Sequence, residues 1–202
     1  MDERRTKKPK TGQKAIQRRT WGWIGSSIVA VSVGGIILSA LPGRSLVVNG
    51  VSYFLAPPRF VAARTSQDGT YIWNATYDFV LALPENAGED LQRVSITQRG
   101  GIGRPRFRAK DIRVFVSQDS AQLGEAVELS EVTIDDDQSA MTIDFATPIA
   151  PGAIVTVRLY PVRNPATAGT YLYEIMAFPV GEQPRAYNVG TGQIRIYDNT
   201  LD

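Results

Sequence analysis

The sequence predicts an all-β protein: a single antiparallel β-sandwich of the immunoglobulin-like kind, preceded by one transmembrane α-helix. Three observations lead to this fold class. An uncharged apolar run fills residues 21–41, about ten short alternating runs follow residue 45, and turn-forming residues separate those runs. We therefore expect a basic cytoplasmic tail at residues 1–20, a transmembrane helix at 21–41 and an extracytoplasmic sandwich domain at 45–202.

Charge is divided unevenly along the chain. Residues 1–20 carry eight Lys or Arg and two acidic residues, whereas the other 182 residues carry 14 Lys or Arg and 18 Asp or Glu. Domains that bind duplex nucleic acid usually have a basic surface of their own, so we expect no nucleic-acid partner. A basic tail beside a membrane is attracted to anionic lipid headgroups, which we take as its partner.

The apolar run has the length and the flanks of a membrane anchor. Its 21 residues contain no charge, and they span about 31 Å as a helix, close to the roughly 30 Å of a bilayer core. The preceding basic residues predict a cytoplasmic N-terminus, and Trp21 and Trp23 lie where interfacial aromatic residues belong. Pro42 ends the helix. The alternative is a signal peptide cleaved after Ala40, and both interpretations place the domain outside the cytoplasm.

Small residues recur every four positions along this predicted helix. Gly22, Ser26, Ala30 and Gly34 therefore share one stripe. Small side chains at this spacing let two helix backbones approach closely in lipid. We expect the stripe to pack against another transmembrane helix, either from a second copy of the chain or from another subunit. The alternative is that these residues only reflect the usual composition of membrane helices.

After residue 45 apolar and polar residues alternate, which is typical of half-buried antiparallel strands. The first two predicted strands flank Asn49-Gly50, a strong hairpin signal. The apolar faces of the later strands comprise Tyr77, Phe79, Leu81 and Leu83; Val94 and Ile96; Ile112, Val114 and Val116; Ile134; Met141, Ile143 and Phe145; Val155, Val157 and Leu159; Tyr171, Tyr173, Ile175 and Ala177; and Ile194 and Ile196. No helical period lasts three turns here, although residues 85–91 could form one helical turn in a loop.

Several segments of this outer domain resemble a known family. They are APPRF at residues 56–60, ATYDFVLALPENAGEDLQRVSITQR at 75–99, TPIAPGAIVTVRLYPVRNP at 147–165 and GTYLYEIMAFPVGE at 169–182. Together they are similar to a cyanobacterial family of exported proteins known only as a domain of unknown function. The resemblance implies a thylakoid-lumenal or periplasmic location and supplies no catalytic residues. Members of that family begin with an ordinary signal peptide, so the long basic tail indicates a domain fixed to a membrane.

The absence of two residue types limits the catalytic and metal-binding sites that the chain can form. The chain contains no Cys and no His. This composition excludes Ser-His-Asp and Cys-His hydrolases, His-ligated zinc sites and thiol redox chemistry. We therefore expect a protein that is not an enzyme and has no cofactor.

Two acidic clusters are candidate sites. The three aspartates at 135–137 could ligate Ca²⁺, but they lack the spaced ligands of a Ca²⁺ loop, and a solvated hairpin turn explains them better. Glu85, Glu89 and Asp90 could supply a glycosidase pair only if two carboxyl groups faced each other about 5–10 Å apart across a cleft. We expect neither a metal site nor a catalytic site.

A basic segment is the third candidate. Arg104, Arg106, Arg108 and Lys110 alternate, so an extended strand would place all four on one face. Such a ridge could contact anionic lipid headgroups or an acidic protein surface. The alternative is a solvated edge strand whose charges prevent aggregation.

These features predict a non-catalytic interaction protein with its N-terminus in the cytoplasm and its sandwich in the thylakoid lumen or periplasm. We expect it to be an accessory subunit or factor of a larger membrane protein complex. A free-standing envelope module that binds carbohydrate, lipid or cell-wall material is the alternative. Co-purification from gently solubilised membranes distinguishes the two.

Overall fold

The computed structural model describes residues 46–48, 50–137 and 139–199. The predicted basic tail and transmembrane helix lie outside these residues, and so does the stripe of Gly22, Ser26, Ala30 and Gly34. Within the described ranges, no helix is long and apolar enough to cross a membrane.

The described part of the chain consists of short strands and one 3-10 helix. The strands are β1 (Leu46–Val48), β2 (Val51–Tyr53), β3 (Arg59–Thr65), β4 (Tyr77–Ala82), β5 (Leu91–Gly100), β6 (Arg113–Ser117), β7 (Glu125–Val127), β8 (Leu129–Asp135), β9 (Ala140–Ile149), β10 (Ile154–Leu159), β11 (Gly169–Pro179), β12 (Gln183–Pro184) and β13 (Tyr187–Ile196). The 3-10 helix spans Ala109–Asp111.

These strands form three sheets. Two five-stranded sheets, with orders β3-β4-β10-β6-β7 and β13-β11-β5-β9-β8, make the sandwich, and a small sheet has the order β1-β2-β12. All described pairs between named strands are antiparallel except the two-residue pairing of β12 with β2. The predicted all-β class with an antiparallel sandwich is confirmed.

The core lies between the two five-stranded sheets, where alternate residues of each strand point inward. The inner face of β4 buries Tyr77, Phe79 and Leu81, and the inner face of β11 buries Tyr171 and Tyr173. The rings of Phe79 and Tyr173 meet edge to face with centroids 5.2 Å apart. Such a ring pair stabilises the fold by about 0.5–1.5 kcal/mol beyond the burial of its area. Period-two alternation in the sequence therefore identified the buried faces correctly.

Two predicted hairpins form, whereas the helical turn considered for residues 85–91 does not. Gly50, with a φ of +81°, directly precedes β2, and β1 and β2 pair as the hairpin signal predicted. The β8–β9 hairpin also forms, with Ile134 opposite Met141. Residues 85–91 do not form a helical turn. Residues 84–87 instead form a β-turn in which the Ala87 N–H donates to the Pro84 carbonyl at 3.0 Å.

The two ends of the sandwich differ. We call one the loop end; it comprises loops 66–76, 101–112 and 160–168, the turn at 136–139 and residues 197–199. Backbone hydrogen bonds join these segments: Asn164 N–H to Ile72 O, Val162 N–H to Arg106 O, and Tyr197 N–H to Asp68 O. The small sheet of β1, β2 and β12 lies at the opposite end, where the Leu55 N–H donates to the Ala87 carbonyl.

Candidate functional site: the loop end

A buried asparagine organises the loop end. Asn164 is only 1% exposed. Its side-chain amide donates to the carbonyls of Gln67 and Gly69 at 3.0 and 2.9 Å, and its Oδ1 accepts from the Tyr77 hydroxyl at 2.9 Å. Burial raises the pKa of the Tyr77 hydroxyl well above its usual range, so Tyr77 stays a neutral donor. One side chain thus connects loop 160–168 to loop 66–76 and to the core.

Loop 66–76 needs this support because its backbone is strained. Tyr71 and Asn74 have left-handed φ angles of +59° and +64°. Residues other than glycine adopt this conformation seldom and at a cost, which the surrounding contacts must offset. The loop presents Tyr71 and Trp73 to solvent, with exposed fractions of 54% and 61%.

An arginine contacts both exposed rings. The Arg163 guanidinium carbon lies 5.1 Å from the Tyr71 ring centroid and 5.7 Å from the Trp73 ring centroid. At these distances the cation is attracted to each ring face, by about 0.5–1 kcal/mol at an exposed site. Arg163 is itself exposed. The three side chains therefore form an ordered cluster on the surface.

A cleft of about 380 Å³ opens beside this cluster, between loops 101–112 and 160–168. We call it the Arg163 cleft. Its lining consists of Trp73, Ile102, Gly103, Arg104, Pro105, Arg106 and residues 162–167. Three arginines and no Asp or Glu are in this lining, so the cleft attracts anionic groups. A neighbouring cleft of about 410 Å³ shares Trp73 in its lining and also includes Arg108 and Tyr160.

The predicted basic ridge lies at this end of the molecule, but its structure differs from the prediction. Residues 104–108 form no strand, and Lys110 belongs to the 3-10 helix. Pro105 has no N–H to donate to a ladder, and the segment crosses from one sheet to the other, so it gains no strand partner. Arg104, Arg106 and Arg108 are nevertheless exposed, and the residues between them are half-buried.

Backbone carbonyls and one carboxylate already bind part of this basic segment. The Arg104 guanidinium donates to the carbonyls of Asp136 and Asp137 at 3.3 and 2.9 Å, and Arg108 forms an ion pair with Asp111 at 2.6 Å. Two carbonyl oxygens of the acidic turn at 135–137 thus accept hydrogen bonds from the basic segment. Among the residues that the structure describes, no group of His, Cys, Asp or Glu has the arrangement of a metal site.

The carboxylates considered for glycoside hydrolysis lie at the opposite end of the sandwich. Glu85 is exposed, Asp90 is half-buried, and Glu89 is buried with one oxygen that has no hydrogen-bond partner in the described residues. None of the three lines either cleft at the loop end. These three carboxylates therefore take no part in the two clefts at the loop end.

Sequence reasoning missed the residues that matter most here. Tyr71, Trp73, Arg163 and Asn164 lie in irregular loops and belong to no spaced motif. One sequence feature could have indicated this site. The turn-rich segment GTYIWNAT contains two large aromatic residues, and large apolar side chains exposed on a loop often mark an interaction surface.

The fold and the site together define a class: an all-β sandwich domain with a cationic and aromatic surface on the loops at one end. The profile of the family described as "Protein of unknown function (DUF2808)" matches residues 51–196. Because this match covers most of the chain, the protein belongs to that family. The predicted relation to a domain of unknown function is thereby confirmed.

Other comparisons add little. No curated protein matches the chain. Among solved structures, the chain is similar to the bacterial hydrophobin BslA, with 13% identity, a TM-score of 0.41, and coverage of 72% of this chain and 98% of that one. It is also similar to the collagen-binding subdomain of the Enterococcus faecalis surface protein ACE, with 15% identity, a TM-score of 0.41, and coverage of 69% and 98%. At these scores we draw no inference about function from either.

Proposed function

We propose that this protein is a non-catalytic interaction protein that contacts another protein through the Arg163 cleft. Residues 21–41 anchor it in a membrane, and it acts as an accessory subunit or factor of a larger complex. The observation that carries the proposal is the composition of the cleft surface, which combines Trp73, exposed to 61%, with three arginines and no carboxylate.

This composition is that of an interface hot spot. Trp, Tyr and Arg are the residues whose removal from protein interfaces costs most, often 2 kcal/mol or more. Arg163 is already ordered by Tyr71 and Trp73, so binding would cost less side-chain entropy than for a free arginine. Asn164 holds the loops that carry these residues. The site is therefore organised before a partner arrives.

The cleft also indicates the chemistry of the partner. Guanidinium groups bind carboxylates through paired hydrogen bonds, and Trp73 and Ile102 offer apolar area beside them. We expect the partner to present an acidic segment with one or two apolar side chains. Association should weaken as salt increases, because the charges concerned are exposed.

Co-purification of full-length tagged chains from gently solubilised membranes tests this function. Wild-type chain should retain a stoichiometric protein partner, and Trp73→Ala and Arg163→Ala should each lower its recovery at least tenfold. The matched control is Leu55→Ala, which truncates an apolar side chain of the same 61% exposure at the opposite end of the sandwich. Equal recovery from all four chains would remove the cleft from the interface.

A glycan-binding envelope module remains the second candidate, favoured by the two exposed aromatic rings at the cleft edge. In that case purified chain should be retained on cell-wall glycans in the absence of any protein partner. Trp73→Ala should then abolish that retention, whereas Leu55→Ala should preserve it. Retention on glycans together with no recovered partner protein would replace the first function with this one.

The same proposal includes the membrane topology. The sequence resemblance supports a lumenal or periplasmic domain, the basic tail contacts anionic headgroups, and the stripe of Gly22, Ser26, Ala30 and Gly34 packs against another transmembrane helix. Because the chain contains no Cys, single cysteines report topology cleanly. In sealed vesicles whose lumenal or periplasmic face is outward, an impermeant maleimide should label Ile102→Cys but not Lys8→Cys. The reverse labelling would invert the topology.

A further inference from the structure

The two clefts at the loop end share part of their lining. The cleft of about 410 Å³, which we call the Arg113 cleft, has Trp73 and Val162 in common with the Arg163 cleft of about 380 Å³. Together the clefts contain five of the 14 Lys and Arg residues that follow residue 20, but only one of the 18 acidic residues. A domain with more acidic than basic residues thus concentrates its cations here, where they attract an acidic ligand.

Arg113 is the unpaired cation of the Arg113 cleft. Arg108 in the same lining is already paired with Asp111 at 2.6 Å, and Asp111 is the one carboxylate in either lining. Arg113 is exposed, and one of its guanidinium nitrogens donates to the carbonyls of Lys110 and Ile112 at 2.6 and 2.8 Å. These bonds orient the guanidinium, and no described residue supplies it with a carboxylate. It is therefore held ready for an anionic group from outside the domain.

The Arg163 cleft offers further unpaired cations beside an apolar ring. Arg106 and Arg163 are exposed, and neither forms an ion pair within the part of the chain that the structure describes. Trp73, whose ring Arg163 contacts, is exposed to 61% and belongs to both linings. One apolar ring is thus common to two clefts that each contain an unpaired cation. A ligand that satisfies all of these groups has an apolar side chain with a carboxylate on each side of it.

We propose that the acidic segment bound at the Arg163 cleft is an extended chain that crosses Trp73 and places a second carboxylate on Arg113. This inference rests on the proposed function and identifies Arg113 as a residue that determines specificity. One carboxylate meets Arg106 and Arg163, an apolar side chain packs on Trp73, and the second carboxylate meets Arg113. At about 3.3 Å per residue, a segment of roughly five residues spans two clefts of this size.

The probe is the peptide GDALADG with blocked termini, titrated calorimetrically into the detergent-solubilised full chain. Its matched ligand is GDALANG, which lacks one carboxylate. Wild-type chain should bind GDALADG about two- to fivefold more tightly, the range for one exposed ion pair. Arg113→Gln should abolish this preference, so that the two peptides bind equally. Arg59→Gln, which alters an exposed arginine at the opposite end of the sandwich, should preserve it.

A second variant should increase affinity, an effect that loss of folding cannot produce. Asp111→Asn removes the carboxylate that neutralises Arg108, so it should tighten binding of GDALADG by about two- to fivefold. The matched control is Asp144→Asn, which breaks an ion pair of 2.7 Å with Arg93 between β5 and β9 and should leave the affinity unchanged.

The inference is overturned if Arg113→Gln keeps the preference for GDALADG, or if Asp111→Asn fails to tighten it. Failure of the proposed function is a different result, because Trp73→Ala and Arg163→Ala would then also leave the recovery of the partner protein unchanged. Wild-type chain that binds neither peptide at millimolar concentration would overturn the extended acidic segment. Retention of that chain on cell-wall glycans would then assign both clefts to a glycan.

Discussion

Replacement of Asn164 by Ala should destabilise the domain more than any exposed polar substitution. Asn164→Ala removes two partly buried donor contacts to loop carbonyls and the buried acceptor of the Tyr77 hydroxyl. A hydrogen bond contributes about 0.5–1.5 kcal/mol net, and a stranded buried group costs about 1–3 kcal/mol. We therefore expect a loss of about 3 kcal/mol in unfolding free energy. For a domain of this size the loss lowers the melting temperature by about 6–12 °C.

Urea denaturation followed by circular dichroism measures this loss. The control is Asn188→Ala, an exposed asparagine whose amide donates to Glu174 at 2.8 Å, and it should cost less than about 1 kcal/mol. Tyr77→Phe removes the other partner of one of the three bonds. A double-mutant cycle of Asn164→Ala with Tyr77→Phe should therefore give a coupling of about 1 kcal/mol. A coupling near zero, or equal losses for the two asparagine variants, would refute the assigned role of Asn164.

Two further perturbations test the packing of the sheets. Asp78→Asn should lower the unfolding free energy by about 1–3 kcal/mol, because it weakens two 2.7 Å bonds to the half-buried Arg158 guanidinium. Arg99→Ala breaks a more exposed ion pair and should cost less than about 1 kcal/mol in the same urea titration. Burial raises the pKa of both the Tyr77 and the Tyr173 hydroxyls, so the folded chain keeps protons that the unfolded chain releases near pH 10. Unfolding free energy should consequently fall above pH 10, by up to about 1.4 kcal/mol per pH unit for each tyrosine. Tyr173→Phe should make that decline shallower; an unchanged slope would show that its hydroxyl titrates normally.

Local sequence patterns were sufficient for most of the strands. In β4 from Tyr77 and in β11 from Tyr171 every second residue is apolar, and the structure buries those residues. The pattern succeeds because a strand between two packed layers must present one face to the core. The same rule failed for the segment containing Arg104 and Arg106. Exposed and half-buried residues alternate there although the segment pairs with no strand. The segment passes from one sheet to the other, and half-buried residues such as Phe107 pack against the edge of the core.

The site could not be predicted, because it depends on the order of strands in the sheet. Loop 66–76 joins β3 to β4, and loop 160–168 follows β10, which lies next to β4. The sheet therefore brings Trp73 and Arg163 together although 90 residues separate them in the chain. Periodicity records which face of a strand is buried, but it contains no information about which strand is the neighbour.

The position of the cleft within the sandwich also restricts its partner. The described chain enters through β1, which belongs to the small sheet at the end opposite the loop end. Strands of ten residues, such as β5 and β13, run between the two ends and span about 33 Å. The Arg163 cleft therefore lies at the end of the sandwich opposite β1, roughly one such strand length away. Under the proposed function, the partner presents its acidic segment to the loop end of the sandwich and not to the end that carries β1.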